Sequence, residues 1–328
     1  MTATVLLRKP SREELGENNN ILYLSVSKTK TFKDCKSKFK FQYIDKIQVT
    51  KDRDYLIFGK FLHSVLENFH AIIKRQNDDN KPFARIMEEQ FASAIPEYKS
   101  LTPAQLKDGH KIMTLYLKNF SQDHSEGTFP DILETEQEFC INIDDKILLN
   151  GFIDRVQLDH DGVLHVADYK TSKAKSIKYL KKDKFQLLTY AYVLALIHPE
   201  IEKVRASYIL LRARQCADCH YTLDKEAELS AESCPECKSV NFTIPSIVEE
   251  FSRDQILLIE EEFLEYAAKI NVEKAFSSTT SPLCEYCDFL DLCPDGGAFV
   301  KEIIRKREAR EAKYNRPPKI GEISWDDL

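Results

Sequence analysis

The stretch from Ile132 to Tyr169 constrains the fold more than any other part of the chain. Ile132–Ile143, Ile147–Leu158 and Val163–Tyr169 are alternating or β-rich, separated by Asp-Asp and Asp-Gly turn signals, with His160-Asp161-Gly162 a good hairpin turn. Ionisable residues interrupt these apolar segments: Asp154 in one, Asp168 and Lys170 at the end of another. Residues two apart in a strand share a face, so Asp168 and Lys170 point the same way. Asp154, one hairpin turn earlier, falls on the adjacent strand and can reach the same place. Two carboxylates held together repel, and burying them without a partner is costly. A divalent cation removes that penalty, and a hard, oxygen-rich site suits Mg²⁺ or Mn²⁺. An ammonium beside it can orient or help deprotonate a metal-bound water for attack on a phosphodiester. Taken alone, Asp-x-Lys is common and reads more simply as a structural ion pair.

Helical periodicity flanks the strands. From Asp54 to about Arg75, Phe58, Leu62, Val65, Leu66 and Phe69 share one face. Two or three further helices fill the stretch to about Phe120, and Ser25–Tyr43 reads as a turn entering a helix. Lys184–His198 is again helical and is stopped by Pro199; Val204–Arg212 reads as a buried strand, and Phe242–Phe251 as another. A long amphipathic helix follows, about Arg253–Phe276. This order predicts an α/β fold with a mixed central sheet flanked by helices. The expected organisation is a flexible amino terminus (1–23), a main domain (24–299) carrying an insertion (213–241), and a charged helix with an extended tail (300–328).

The chain has 328 residues, 43% hydrophobic and 30% charged, as in an ordinary soluble protein. No apolar run is long enough to cross a bilayer and no secretory signal is visible, so the expected location is the cytoplasm, or a nucleus or organelle. A net charge of −6 argues weakly against bulk coating of nucleic acid, but a local groove depends on placement. Lysines crowd two places: Lys28–Lys40 and Lys173–Lys184.

Nine cysteines without a secretion signal point to metal rather than disulfides. Cys216-x2-Cys219 and Cys234-x2-Cys237 are the paired knuckles of a zinc ribbon, whose polar intervening residues could not fold without the ion. Cys284, Cys287, Cys293 and the distant Cys35 form a second candidate set. Cys140 is left over as a core residue.

In combination these elements resemble the RecB/AddB-like branch of the PD-(D/E)XK nuclease superfamily. That branch has a Gly-x-x-Asp-Arg strand before an Asp-Tyr-Lys-Thr strand, an upstream Gly-x-x-x-His helix and a downstream Gln-x-x-x-Tyr helix. Here they are Gly151–Arg155, Asp168–Thr171, Gly59–His63 and Gln186–Tyr190, in the same order. Ile153 stands where the superfamily's name has Pro, a position that is loose in this branch. The resemblance implies the restriction-endonuclease-like core, with His63, Asp154, Asp168 and the Tyr169 carbonyl holding Mg²⁺ or Mn²⁺. Lys170 would position water and stabilise charge on the phosphate, and Gln186 and Tyr190 would help hold the site and the strand. Cys35, Cys284, Cys287 and Cys293 resemble the iron–sulfur staple of part of this branch, which implies a 4Fe–4S cluster of structural role; zinc is the rival metal.

The implied activity is metal-dependent hydrolysis of DNA, as an exonuclease on single-stranded ends, in repair, recombination or related processing. The similar proteins include CRISPR-associated adaptation nucleases and iron–sulfur single-strand exonucleases. A non-catalytic DNA-binding or scaffold module keeping the nuclease fold is the alternative. The sequence has no Gly-x-x-x-x-Gly-Lys-[Ser/Thr], so unwinding would come from a partner helicase. Ile323–Leu328, after Pro317-Pro318, is a candidate docking peptide for that helicase or another repair protein.

Overall fold

A computed structural model describes residues 3–6, 21–49, 54–75, 81–125, 129–144, 146–171, 177–223, 231–295, 301–306 and 308–309. The expectations for 7–20 and for the tail, including Ile323–Leu328, lie outside the described residues. In chain order the elements are β1 (Thr4–Leu6), β2 (Leu22–Leu24), α1 (Val26–Asp34), α2 (Lys36–Phe39), α3 (Asp54–Arg75), α4 (Phe83–Ala94) and α5 (Pro103–Ser125). Then come β3 (Asp131–Asp144), β4 (Ile147–Leu158), β5 (Leu164–Lys170), α6 (Ile177–Leu180), α7 (Phe185–Ile197) and β6 (Lys203–Leu210). Last are β7 (Arg214–Cys216), β8 (Thr222–Leu223), β9 (Phe242–Thr243), β10 (Ser246–Ser252) and α8 (Arg253–Val272). The strand expected over Phe242–Phe251 is thus two strands broken before Ser246. At the amino terminus, Thr4–Leu6 pair with Asn142–Cys140 of β3, so this part of the 1–23 segment is held in the sheet.

The chain divides into two compact units, one from 1–23 and 52–264, the other from 24–51 and 265–328. The first is a mixed α/β layer structure. Its main sheet runs β1-β3-β4-β5-β6-β10, with β2 added against β4. Only β5 and β6 pair in parallel along this path, and parallel neighbours need a crossover. Helix α7 supplies it. Nine of its 13 residues are buried, without a break from Thr189 to Ala195, as expected of a helix that is apolar nearly all round. Strand β5 is buried from Leu164 to Tyr169, the mark of a central strand covered on both faces. Helices α3, α4 and α5 form the other core, where Phe58, Leu62, Val65, Leu66 and Phe69 pack with Ile86, Met113, Phe120 and Tyr169. The expected helical stripe is therefore the core face. The turn from β4 to β5 closes through Gly162, whose φ of 77° is the left-handed value that turn requires.

Strands β7, β8 and β9 form a separate three-stranded sheet. Its small core is Cys216, Leu223, Cys234 and Phe242, with Leu115 of α5 against it. Lys118 and Asn119 of α5 tie it down, by hydrogen bonds to Asn241 (2.7 Å) and from the Ile244 N–H (2.9 Å).

In the second unit, Ser25 caps α1 by accepting from the Lys28 N–H at 3.1 Å. Phe39 stacks on Phe276 and Phe41 meets Phe289. Lys36 pairs with Glu273, and Ser37 Oγ donates to the Phe276 carbonyl at 2.6 Å. These contacts join the segment carrying Cys35 to the one leading to Cys284.

Gly151 opposes Phe139 across β4 and β3, and a Cβ there would meet Phe139 Cζ at 2.7 Å. The space lets the buried Phe139 ring pack edge-on against Tyr190, 6.2 Å between centroids. Gly151→Ala overpacks this point and should cost about 1–3 kcal/mol, read as a lower urea midpoint. A midpoint equal to wild type would show that the ring shifts freely.

Candidate metal and phosphodiester site

The site begins where a ladder ends. The β4–β5 register runs from Leu158↔Leu164 to Arg155↔Ala167 and stops one position short of Asp154 and Asp168. Strand β5 continues beside β6 as far as Lys170↔Leu210. The sheet therefore opens between β4 and β5 at the two carboxylates. The Tyr169 N–H, on the open side, donates to Asp154 Oδ2 at 2.7 Å.

On β5, Asp168 and Lys170 share a face as the spacing predicts, with Lys170 Nζ 2.6 Å from Asp168 Oδ2. Gln186, in the first turn of α7, clamps both. Its Oε1 accepts from Lys170 at 2.9 Å, and its Nε2 donates to Asp168 Oδ1 and to the Tyr190 hydroxyl, each at 2.8 Å. Gln186 and Tyr190, one turn apart, thus act on one face. Asp168 is only 4% exposed, so its charge depends on this clamp.

Helix α3 brings His63 to Asp154, Nδ1 to Oδ2 3.4 Å. Gly59 allows this approach, because a Cβ there would stand 2.8 Å from Thr171 Oγ1. Glu136 completes the group. It lies on β3 between Thr135↔Arg155 and Gln137↔Ile153, hence opposite Asp154, and its φ of 46° is left-handed, which is rare for Glu. Ligand atoms of His63, Glu136 and Asp154 all lie within 4.8 Å of one another. They line an open cleft of ≈ 620 Å³ with Gly59, Glu67 and Thr171. Asp168, turned to Lys170 and Gln186, stands outside this compact trio. The sequence motifs include His63 and Asp154 but not Glu136, which sits among alternating acids in Glu134–Glu138 and reads from sequence as part of an exposed face.

The protonation equilibria follow from this crowding. Burial, then the charges of Asp154 and Glu67, push the Glu136 carboxyl up to about 7. Burial also raises Asp168, with Asp154 adding and Lys170 opposing. Burial works against protonating His63, but its hydrogen bond to Asp154 and the surrounding carboxylates lift its pKa.

The two cysteine sets are arranged differently. Cys216–Cys237 and Cys219–Cys234 place their sulfurs 3.4 and 3.5 Å apart, and all four lie within 4.8 Å of one another. Burial would raise the Cys216 thiol, but backbone N–H groups of Cys219 and Asp218 and the Cys237 sulfur bring it down to about 7. Cys35 sits between α1 and α2, Cys284 within the turn Pro282–Tyr286, Cys287 just after it, and Cys293 after Leu290–Leu292. Burial raises both Cys287 and Cys293, and each feels Cys35 and Cys284. Among the described residues, no three of these four sulfurs fall within 4.8 Å of one another.

Glu136 binds its proton at a higher pH in the fold, about 7, than at the ordinary value of 4.5. Folded protein holds the extra proton between those values, so metal-free stability falls as pH rises through that window. Glu136→Gln removes this loss. Its metal-free Tm should exceed wild type by about 2–4 °C near pH 8 and match it near pH 4. Coincident Tm values near pH 8 would sink the repulsion argument.

Comparison with known proteins bears on the whole arrangement. Among curated proteins, a component of the ATP-dependent helicase/deoxyribonuclease of Streptococcus uberis is 28% identical over 158 residues, 46% of this chain. The aligned region spans only 14% of that protein's length. Among solved structures, the crystal structure of SSO0001 aligns with TM-score 0.33 and 18% identity, covering 72% of this chain and 95% of that one. The family described as the PD-(D/E)XK nuclease superfamily matches residues 23–294. That match covers most of the chain and every motif placed above, and the chain belongs to the PD-(D/E)XK nuclease superfamily.

Proposed function

We propose that the chain is a divalent-metal-dependent deoxyribonuclease, acting as an exonuclease on single-stranded DNA ends. The observation that carries the reading is the convergence of His63, Asp154, Asp168 and Lys170 at the open end of the β4–β5 ladder. The donors fit Mg²⁺ or Mn²⁺: carboxylate oxygens and one imidazole, closely spaced and mutually repulsive without a cation. His63, Glu136 and Asp154 would hold it, with Asp168 and the Tyr169 carbonyl as the further ligands implied by the family motif. When bound, the cation supplies Lewis acidity and a more acidic water. Lys170 keeps an ammonium beside Asp168, placed to stabilise charge developing on a phosphate. Gln186 fixes both side chains and so holds the ammonium in one orientation.

End-labelled single- and double-stranded DNA with Mg²⁺ or Mn²⁺ tests this. Wild type should cleave only with metal, and Lys170→Ala should lose about 10²–10³-fold in rate. The product ladder separates stepwise removal from internal cutting. Metal-independent cleavage, or full activity in the variant, sinks the proposal.

The relative's name includes a helicase, and this sequence has no phosphate-binding motor loop. A helicase or other repair protein is accordingly the proposed partner wherever duplex must be opened. The cysteines are assigned separately. Cys216, Cys219, Cys234 and Cys237 have the close sulfur spacing that one tetrahedral zinc needs. Cys35, Cys284, Cys287 and Cys293 are assigned to a 4Fe–4S cluster, whose cube separates its thiolates more widely than a single ion does. Anaerobically purified protein should contain about one zinc and about four irons per chain. Cys284→Ser should lose the iron alone, and Cys219→Ser the zinc alone. Two zincs and no iron would overturn the cluster assignment.

A further inference from the structure

Behind the site lies a buried polar group that the chemistry above does not use. Arg155, His70, Tyr116 and Tyr169 are 7%, 1%, 6% and 3% exposed. Arg155 Nη1 donates to the Tyr116 hydroxyl at 2.6 Å and to His70 Nε2 at 3.1 Å. Tyr116 is also 2.7 Å from His70 Nε2 and 3.2 Å from the Tyr169 hydroxyl. Burial, with the Arg155 charge beside it, holds His70 neutral. Its Nε2 then offers one lone pair, shared between Tyr116 at 2.7 Å and Arg155 at 3.1 Å, while Tyr116 accepts from Arg155 and Tyr169. Among the described residues, the buried His70 Nδ1 and Arg155 Nε have no hydrogen-bond partner, which adds to the cost of the group.

A guanidinium buried against two phenols and an imidazole is an expensive way to fill a core. Apolar side chains of similar volume are often at least as stable. Its placement suggests what it does instead. Arg155 is the last residue of β4 still paired to β5, and Tyr169 lies two residues beyond its partner Ala167. Past that pair no backbone ladder sets how far the strands separate. The chain Arg155–Tyr116–Tyr169 crosses the gap from the face opposite Asp154, and the Arg155 cation sits 5.6 Å over the Tyr169 ring. Tyr169 in turn touches both site groups. Its N–H donates to Asp154, and its ring meets His63 edge-on at 5.8 Å.

We propose that Arg155, Tyr116 and His70 form a clasp of positioning residues. The clasp fixes Tyr169, and through it the separation of the two strands at Asp154 and the seat of His63. The inference rests on the metal-site reading above and adds the element that sets that site's geometry.

The test is Mn²⁺ titration followed by electron paramagnetic resonance, with single-turnover DNA cleavage, on wild type and Tyr116→Phe. The variant keeps the ring and removes the shared hydroxyl. It should bind Mn²⁺ about tenfold or more weakly and cleave correspondingly slowly, with unchanged affinity for DNA. Should Tyr116→Phe not fold, Tyr169→Phe removes the outermost hydrogen bond and carries the same expectation. A folded variant with wild-type Mn²⁺ affinity and rate overturns the clasp. Wild type that binds Mn²⁺ but cuts no DNA sinks the nuclease reading instead, and the Mn²⁺ comparison still judges the clasp. Wild type that binds no Mn²⁺ overturns both.

Discussion

The early end of the β4–β5 ladder is the constraint from which the rest of the site follows. Had pairing continued one more step, Asp154 and Asp168 would face each other directly. Like charges in that position destabilise a sheet. Opening the strands separates the carboxylates and gives each a different partner. Asp154 takes the Tyr169 N–H, and Asp168 takes Lys170 and Gln186. The motif residues are thus two answers to one electrostatic problem.

The result is two unequal poles. Around Asp168 the charge is balanced within the protein, by an ammonium 2.6 Å away and an amide held by α7. Around Asp154 it is not. Glu136 and Glu67 add negative charge, both with carboxyls raised above the ordinary range, and His63 is the neighbouring group that offsets it. Gathering carboxylates at one pole without enough positive charge costs stability, and a dication held there would offset that cost. The ammonium at the other pole is already paired, with Asp168 and the Gln186 amide oxygen.

Much of this was legible because it rests on short-range spacing. Asp168-x-Lys170, Gln186-x3-Tyr190 and the stripe from Phe58 to Phe69 each follow from strand or helix periodicity, and each side chain lies where that periodicity puts it. Glu136 was hidden by a register shift. Counting back from the turn, Asp144 pairs with Ile147, which would set Gln137 against Asp154. An irregularity between Asn142 and Asp144 slips the pairing by one residue and brings Glu136 there instead. A one-residue slip exchanges the faces of a strand, and no local pattern reveals it. Arg155 was legible as a motif letter but not as a clasp, since its partners come from α3 and α5, far away in sequence.

The cysteine ribbon shows how such a core accommodates a long connection. Strands β6 and β10 are antiparallel neighbours paired from Lys203↔Ser252 to Ile209↔Ser246, and the Leu210 N–H donates to the Pro245 carbonyl at 3.0 Å. The hairpin closes at its base whatever lies between. A connection of this length without structure of its own would be unusual. Among the described residues its buried apolar core is Cys216, Leu223, Cys234 and Phe242, with Leu115, Tyr221 and Ala231 against it, a small core to fold by burial alone. Two of those four are also members of the compact sulfur group, so the residues that build the core are the ones that would hold the proposed ion. The root of the connection is tied to the chemistry as well: the Leu211 N–H donates to the Lys170 carbonyl at 3.0 Å. Order in the ribbon and the placement of Lys170 therefore meet at one backbone hydrogen bond.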